Sequence, residues 1–374
     1  MDNIYYITEL SLPSDKAQSV HIFKMLDNLS NNSTSITLIC PHKNTNYTYK
    51  KIKNDYNLHT KKKFEIKFSL KKNLKNNFLS RFIFSLKCIK LIKDRNSLII
   101  SRSIIASLVM SLFSIYHFLE IHQEIKGFSK FLFLKLNFFK SKYIIKNIFI
   151  SKGIASFYKS KVKNYIVLHD GSDKRDFKIK YNPNKKVKNI YYFGSFYKGR
   201  GINFLLKLAS ICPNFNFHLV GKRNEKIKNY SKNVKIYSFM KLKKVLSSFK
   251  KADLLLMPYQ KRVSISSDDY KDNISNFMSP IKMFEYLSTG IPIISSEKKV
   301  LKEILINKKN CIFVKEYENI VNWKKAINYI SKKKKLRKKI SYNALATAKK
   351  FSWKNRAKKI FSEYNLFKKE YEKN

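Results

Sequence analysis

Two successive doubly wound α/β domains are the architecture predicted for this 374-residue chain. Three observations lead there. Apolar strands and amphipathic helices alternate from Ile4 to Val314, the rhythm of parallel sheets with helices on their faces. That rhythm breaks once, in a polar stretch around 173–188 holding Asn182-Pro183-Asn184, and then restarts. The length exceeds what one core ordinarily serves, and 44% hydrophobic residues are enough to fill two. The expected division is 1–180 for the first Rossmann-like domain and 181–350 for the second. A terminal segment, 351–374, holds an amphipathic helix expected to pack back on the first domain. Two such domains are expected to face each other across a cleft, with ligand at the carboxyl ends of the strands.

In the first domain, strand 4–7 precedes a helix opened by Ser14, with apolar positions at Ala17, Val20, Phe23, Leu26 and Leu29. Strand 36–40 leads into a lysine-rich stretch, 43–75, whose weak periodicity predicts loops and short strands. Helix 78–93, strand 98–101, helix 104–113 and strand 115–121 follow, then strands at 147–150 and 165–168. In the second domain, strand 190–193 enters a glycine-bearing loop before helix 202–211. Strands 215–220 and 234–237, helix 241–249 and strand 254–257 come next. The run 279–296 then gives helix, turn and strand (291–294), followed by helix 300–305, strand 311–314 and helices to the end.

The formal net charge is +53, from 78 Lys and Arg against 25 Asp and Glu. Only nine of the 78 are arginine. Lysines spread along the whole length, and Asn, Ile, Phe and Tyr are abundant while Gly (8) and Pro (7) are scarce, the signature of an A/T-rich genome. Codon drift and attraction to an anionic membrane surface account for the charge better than nucleic acid does. Zinc spacing, an RNA-type aromatic motif and a basic–heptad pattern are all missing from the sequence. Four dispersed cysteines without a CxxC pair read as buried thiols in a reducing cytosol. The start of the chain has no signal-peptide pattern, so a cytoplasmic protein is expected, held peripherally on the inner face of the membrane if its charge is functional. The apolar stretch 103–119 is short for a membrane span and reads as buried helix followed by strand.

The most informative run is SPIKMFEYLSTGIPIISS at 279–296. Pro280 suits the first helical turn and Gly290 the left-handed position that ends a helix. Free N–H groups and the positive dipole end fall near Ser279, where a phosphate binds favourably. Glu285, on the second turn, can accept hydrogen bonds from a pair of sugar hydroxyls. An ordinary buried helix–turn–strand unit would have the same pattern. Three of the eight glycines, Gly194, Gly199 and Gly201, lie within eight residues in FGSFYKGRG at 193–201. Small residues let backbone approach a phosphate, and Arg200 can bind its oxygens in two-pronged fashion. Gly221 sits at another strand end.

These motifs, with HLVG at 218–221 and ADLLLMPY at 252–259 between them, resemble the second domain of family 4 type glycosyltransferases with the GT-B fold. IISRS at 99–103, FLEIH at 118–122, FISKGI at 149–154 and HDGSDKRDF at 169–177 resemble strand-end segments of its first domain. The resemblance implies that Arg200 binds the donor diphosphate and Glu285 the ribose hydroxyls. It also implies that Ser279, Pro280 and Ile281 bring backbone N–H groups near the phosphates and sugar, and that Gly194, Gly201 and Gly221 permit close approach. Two positions depart from the family pattern. Ser195 stands where an arginine often follows the first glycine, and Phe277 where the first of two paired glutamates falls. Lys282 offers a replacement positive charge, which matches the SPxKxxEY variant of the family.

In the first domain, Glu120 and His122 end a strand that points toward ligand, which makes them the catalytic candidates. A structural histidine satisfied by backbone is equally compatible with His122. Arg102 is the acceptor-side candidate, with a structural ion pair as the alternative. Asp170 and Asp173 read as shaping a turn, and Asp268, Asp269 and Asp272 as a polar lid. No His/Cys/Asp cluster has metal-ligand spacing, so neither metal nor cofactor is expected. The expected partners are a nucleoside-diphosphate-sugar and a glycan or lipid-linked hydroxyl acceptor. A nucleotide-sugar epimerase of the same fold, or a non-catalytic basic protein binding polyanions or membrane, are the alternatives.

Overall fold

The structure is a computed structural model. It describes residues 3–373 apart from 13, 15–16, 43–47, 71–73, 76, 136, 163, 178, 223–226, 241 and 266–272. The expected acidic lid, Asp268, Asp269 and Asp272, lies outside the described residues, as do parts of the lysine-rich stretch. The chain divides into two compact units, Met1–His169 with Trp353–Asn374, and Asp170–Ser352. The division therefore falls at 169/170, ahead of the 180/181 predicted from the polar turn, and the terminal helix belongs to the first unit.

In the first unit, strands β1 (Ile4–Ile7), β2 (Ile36–Cys40), β3 (Glu65–Phe68), β4 (Leu98–Ser101), β5 (His117–Ile121), β6 (Ile144–Phe149) and β7 (Tyr165–Val167) form one sheet in the order β3-β2-β1-β4-β5-β6-β7. Every pairing is parallel. The order reverses between β1 and β4, and the carboxyl end of β5 lies beside that switch point. Its helices are α1 (Ala17–Leu29), α2 (Tyr49–Asp55), α3 (Phe78–Leu91), α4 (Ile104–Leu112), α5 (Gly127–Lys135) and α6 (Lys152–Tyr158). Three were missed in the sequence. In α2 only Ile52 is buried, and three lysines with Asn54 and Asp55 make up most of the rest, so no apolar stripe announced it. Thr48 caps it, accepting from Lys51 N at 3.3 Å. Helices α5 and α6 are short, and α5 is mostly exposed.

The second unit has β8 (Asn189–Phe193), β9 (Asn216–Val220), β10 (Val234–Tyr237), β11 (Leu254–Met257), β12 (Ile293–Ser296) and β13 (Ile312–Val314), in the order β10-β9-β8-β11-β12-β13, again parallel. Its helices are α7 (Ile202–Ser210), α8 (Leu242–Phe249), α9 (Ile281–Thr289), α10 (Ile320–Lys332) and α11 (Lys334–Lys350); α12 (Trp353–Tyr371) returns to the first unit, packing on α1. Alternate strand residues feed two cores. Phe193, Leu255 and Met257 join Met283, Phe284 and Leu287 of α9 on one face. Ile190, Tyr192, Leu254 and Leu256 join Leu205, Leu208 and Trp323 on the other. Burial on both faces is why these strands read as continuous apolar runs.

Several boundaries move, among them β5, which begins at His117 and not at 115, β6, which begins at Ile144 and not at 147, and three in and after α9. Strand β12 begins at Ile293 and not at Ile291, because Thr289 Oγ1 takes the Ile291 N–H at 3.1 Å and Pro292 has none to give. The helix expected at 300–305 is a 3₁₀ turn, Leu301–Glu303. Pro280 is the N-cap of α9, one position before the first helical residue. The stretch 103–119 contributes α4 and the start of β5, and no helix among the described residues is long and apolar enough to cross a membrane. All four cysteines are buried free thiols.

Candidate active site

In the second unit the strand order reverses between β8 and β11, and the carboxyl ends of both strands meet the amino end of α9. Nine residues long, α9 ends at Gly290 in the left-handed conformation (φ 69°), as its sequence predicted. Its buried side, Met283, Phe284, Tyr286 and Leu287, fixes its rotation. Tyr286 ties it to β8: its hydroxyl accepts from Phe193 N at 2.8 Å and donates to Phe193 O at 3.3 Å. Lys282 is thereby aimed at the end of β8. Its Nζ lies 4.0 Å from the Tyr192 ring centroid and 5.2 Å from that of Tyr259, favourable cation–π placements. It is buried and has no hydrogen-bond partner. Burial and the nearby Arg200 guanidinium hold its pKa well below the ordinary value, against the opposing pull of Glu285.

Arg200 reaches the same place from the glycine loop. Its Nη2 donates to Ser264 O at 3.2 Å, its guanidinium lies 5.5 Å from the Tyr259 ring centroid, and its Nε is buried without a partner. Two buried nitrogens without hydrogen-bond partners, Lys282 Nζ and Arg200 Nε, thus lie near the N-terminus of one helix, an arrangement that suits an anion. Glu285 follows Lys282 by one turn on the same helix.

Gly194 has φ 145°, a conformation that side chains rarely adopt, and a Cβ there would lie 2.7 Å from Lys282 Nζ. Gly221 serves packing: its Cβ would sit 1.8 Å from Gly194 O. Gly201, the N-cap of α7, likewise abuts Pro258 O. A Gly221→Ala variant is expected to lose about 1–3 kcal/mol of stability in urea denaturation, because a backbone carbonyl cannot yield as a side chain would. Ser195 accepts from the Tyr192 hydroxyl through its carbonyl at 2.9 Å, and Ser279 Oγ accepts from Asp170 N at 3.2 Å. Pro280 and Ile281 form the helix mouth. The sequence reading missed Tyr192, Tyr259 and Tyr286; their position at strand ends and in the EY pair was the available signal.

In the first unit, Glu120 lies at the end of β5 with its side chain 1% exposed. Tyr6 donates to its Oε2 at 2.6 Å, Arg356 of α12 binds Oε1, and His21 and His122 place Nε2 at 3.1 and 3.3 Å from Oε1. Burial alone would raise this carboxyl, but His21, Arg356 and His122 hold it well below its ordinary range. His122 is itself pushed down to about 3, by burial first and then by Arg102. Its imidazole is accordingly neutral near pH 7. The carboxylate of Glu120 is thus hydrogen-bonded by Tyr6 and Arg356 and flanked by both imidazoles. Arg102 Nη1 meets Gln18 O at 3.5 Å.

His21, Glu120 and His122 bring ligand-type atoms within 4.8 Å of one another, a cluster that the linear spacing hid because His21 comes from α1. The Arg356 guanidinium and Tyr6 already occupy this carboxylate, so a dication would have to displace a cation. His21, Tyr6 and Arg356 were not anticipated.

Residues 173–347 match the family model for glycosyl transferases group 1. No curated protein sequence matches the chain. Among solved structures, sucrose-phosphate synthase from Thermosynechococcus elongatus superposes with a TM-score of 0.72 at 11% identity, covering 98% of this chain and 99% of that one. Anabaena HepE in complex with UDP-glucose gives 0.68 at 12% identity, covering 98% and 100%. The lipopolysaccharide outer core galactosyltransferase WaaB gives 0.66 at 14% identity, covering 98% and 99%. The chain thus has the two-domain GT-B glycosyltransferase fold, and its second unit carries the match to the glycosyl transferases group 1 family.

Proposed function

We propose that the chain is a glycosyltransferase of the SPxKxxEY variant of family 4, moving a hexosyl group from a nucleoside-diphosphate-sugar to a hydroxyl acceptor with retention of configuration. The observation that carries this reading is the meeting of partnerless Lys282 Nζ and Arg200 Nε at the mouth of α9, one turn ahead of Glu285. Two cations and a helix dipole suit a diphosphate, and a carboxylate one turn on suits ribose hydroxyls. The same groups stabilise a departing nucleoside diphosphate, and they do so without a metal in the scheme. Ser279, Pro280 and Ile281 line the helix mouth, while Gly194, Ser195, Gly201 and Gly221 shape the loop.

In the first unit, neutral His122 hydrogen-bonds a reacting hydroxyl, and Arg102 faces the acceptor. Glu120 is a positioning residue that holds His122 and α12 in place. Complexes of HepE with UDP and with UDP-glucose support a nucleotide-sugar donor. The lipopolysaccharide galactosyltransferase among the structural neighbours favours a surface glycan or lipid-linked acceptor. The lysine excess suits a protein held at an anionic inner leaflet.

The test is a thermal-shift screen of nucleotide-sugars, followed by incubation of the stabilising donor with and without glycan acceptors in the presence of a chelator. One donor is expected to raise the melting temperature, and transfer is expected to persist with the metal removed. An epimer formed from donor alone would replace this reading with that of an epimerase. No stabilisation by any donor would end it.

A further inference from the structure

Helices α3 and α5 expose a continuous apolar strip on the first unit. Leu79 is 65% exposed, Phe128 55% and Phe131 52%, with Ile83 and Phe78 also exposed. Ring contacts join the two helices into one surface: Phe78 meets Phe82 at 5.9 Å and Phe128 at 5.1 Å, and Phe128 meets Phe131 at 6.0 Å. Leu79 and Ile83 stand one turn apart and extend the strip along α3. Soluble surfaces rarely gather large apolar side chains in this way without a partner.

The surroundings of the strip select the partner. Exposed lysines flank it on both helices, Lys75, Lys87 and Lys90 by α3 and Lys126, Lys130 and Lys135 by α5. Lys135 Nζ lies 5.2 Å from the Phe131 ring centroid, over the aromatic face. The nearby carboxylates are already taken: Glu124 pairs with Lys130 at 3.3 Å, and Glu9 with Arg81 at 3.2 Å. A partner must therefore offer apolar depth under the rings and negative charge around them. A second copy of the chain would bring lysine against lysine. A nucleic acid would meet the lysines but gain nothing from Leu79 or Ile83.

We infer that this lysine-rimmed strip on α3 and α5 docks on an anionic lipid bilayer, with Leu79, Phe128 and Phe131 entering the headgroup–acyl boundary. This deepens the membrane clause of the proposed function by naming the surface. Nothing in it depends on the nucleotide-sugar assignment in the second unit. The strip supplies what diffuse charge lacks, a fixed orientation on the membrane and resistance to screening by salt.

The experiment is flotation with vesicles of equal parts phosphatidylglycerol and phosphatidylcholine, against phosphatidylcholine alone, at physiological salt. Wild type is expected to float with the anionic vesicles only. The triple variant Leu79→Ser, Phe128→Ser, Phe131→Ser is expected to lose binding by roughly tenfold or more. A control with Lys334→Ser, Lys335→Ser and Lys338→Ser, exposed on α11, removes charge elsewhere and is expected to float as wild type does. Far-ultraviolet circular dichroism and a cooperative urea transition, read without any nucleotide, verify that each variant is folded, so that a failed donor site and a failed membrane surface are told apart. A single Phe128→Trp substitution adds a direct reading, since quenching by acyl-chain-brominated lipid is expected only on anionic vesicles. The inference is overturned if the Ser variant floats like wild type, if wild type does not float, or if chromatography shows a dimer that the Ser variant abolishes.

Discussion

Replacing Lys282 with methionine is expected to weaken nucleotide-sugar binding roughly a hundredfold or more while leaving the free protein as stable or more so. Removing one charge from a desolvated pair typically costs about 2–5 kcal/mol of binding. Lys282 Nζ, buried between the Tyr192 and Tyr259 rings with no hydrogen-bond partner, is placed for such a pairing. In the free protein that same burial is unfavourable, so a methionine of similar shape relieves it. Loss of binding with a raised melting temperature separates a ligand role from misfolding. A destabilised variant that still binds donor would refute the assignment.

The pH dependence follows from the same group. Burial and Arg200 lower the Lys282 pKa in the free site, Glu285 raises it, and an arriving diphosphate raises it further. The neighbouring Tyr192 and Tyr259 hydroxyls are pushed above their ordinary range by burial and stay protonated. Between the free and bound pKa values of Lys282, binding takes up a proton, and affinity falls as pH rises through that window. Calorimetry in two buffers of different ionisation enthalpy is expected to give different apparent enthalpies for wild type and equal ones for Lys282→Met.

The second large effect concerns stability. Arg356→Met is expected to cost the first unit about 3–5 kcal/mol, because it leaves the Glu120 carboxylate buried without its guanidinium. Arg356 also donates from Nη1 to Leu168 O and to His169 O, a fork that lysine cannot reproduce. The two tryptophans divide between the units, Trp353 in the first and Trp323 in the second. In a Trp323→Phe background, urea unfolding followed by fluorescence reports the first unit through Trp353, whose ring lies 5.1 Å from that of His21.

Acid should weaken this unit as well. Glu120, with its folded pKa lowered, contributes stability that is present above its unfolded pKa and lost as pH falls through the folded one. His122, neutral in the fold down to about 3, opposes protonation that the unfolded chain accepts, so stability declines as pH drops below about 6.5. A flat stability profile from pH 7 to 4 would contradict the hub.

The alternation of strands and helices was legible because the inner strands, such as β1, β4 and β11, are buried on both faces and so read as apolar runs. Helix α9 was legible from Pro280 and Gly290, which mark ends by backbone geometry and not by packing. What stayed hidden depended on three dimensions. Helix α2 buries only Ile52 and so leaves no stripe among its lysines. The Glu120 hub gathers residues from β1, α1, β5 and α12, far apart in the chain. One signal was available for it. In a chain so rich in lysine, the few arginines include Arg200, Arg337 and Arg356, each donating to backbone or carboxylate. Arg337, fully buried, donates to Pro183 O, Lys185 O, Ile330 O and Ser331 O.

The central claim, a nucleotide site built on α9, is tested most directly by calorimetry of Glu285→Ala against the stabilising nucleoside diphosphate and against inorganic pyrophosphate. Charged hydrogen bonds to hydroxyls are worth about 1.5–3 kcal/mol. The variant should therefore bind the nucleotide roughly ten- to a hundredfold more weakly and pyrophosphate as wild type does. Unchanged nucleotide affinity in Glu285→Ala would contradict the account.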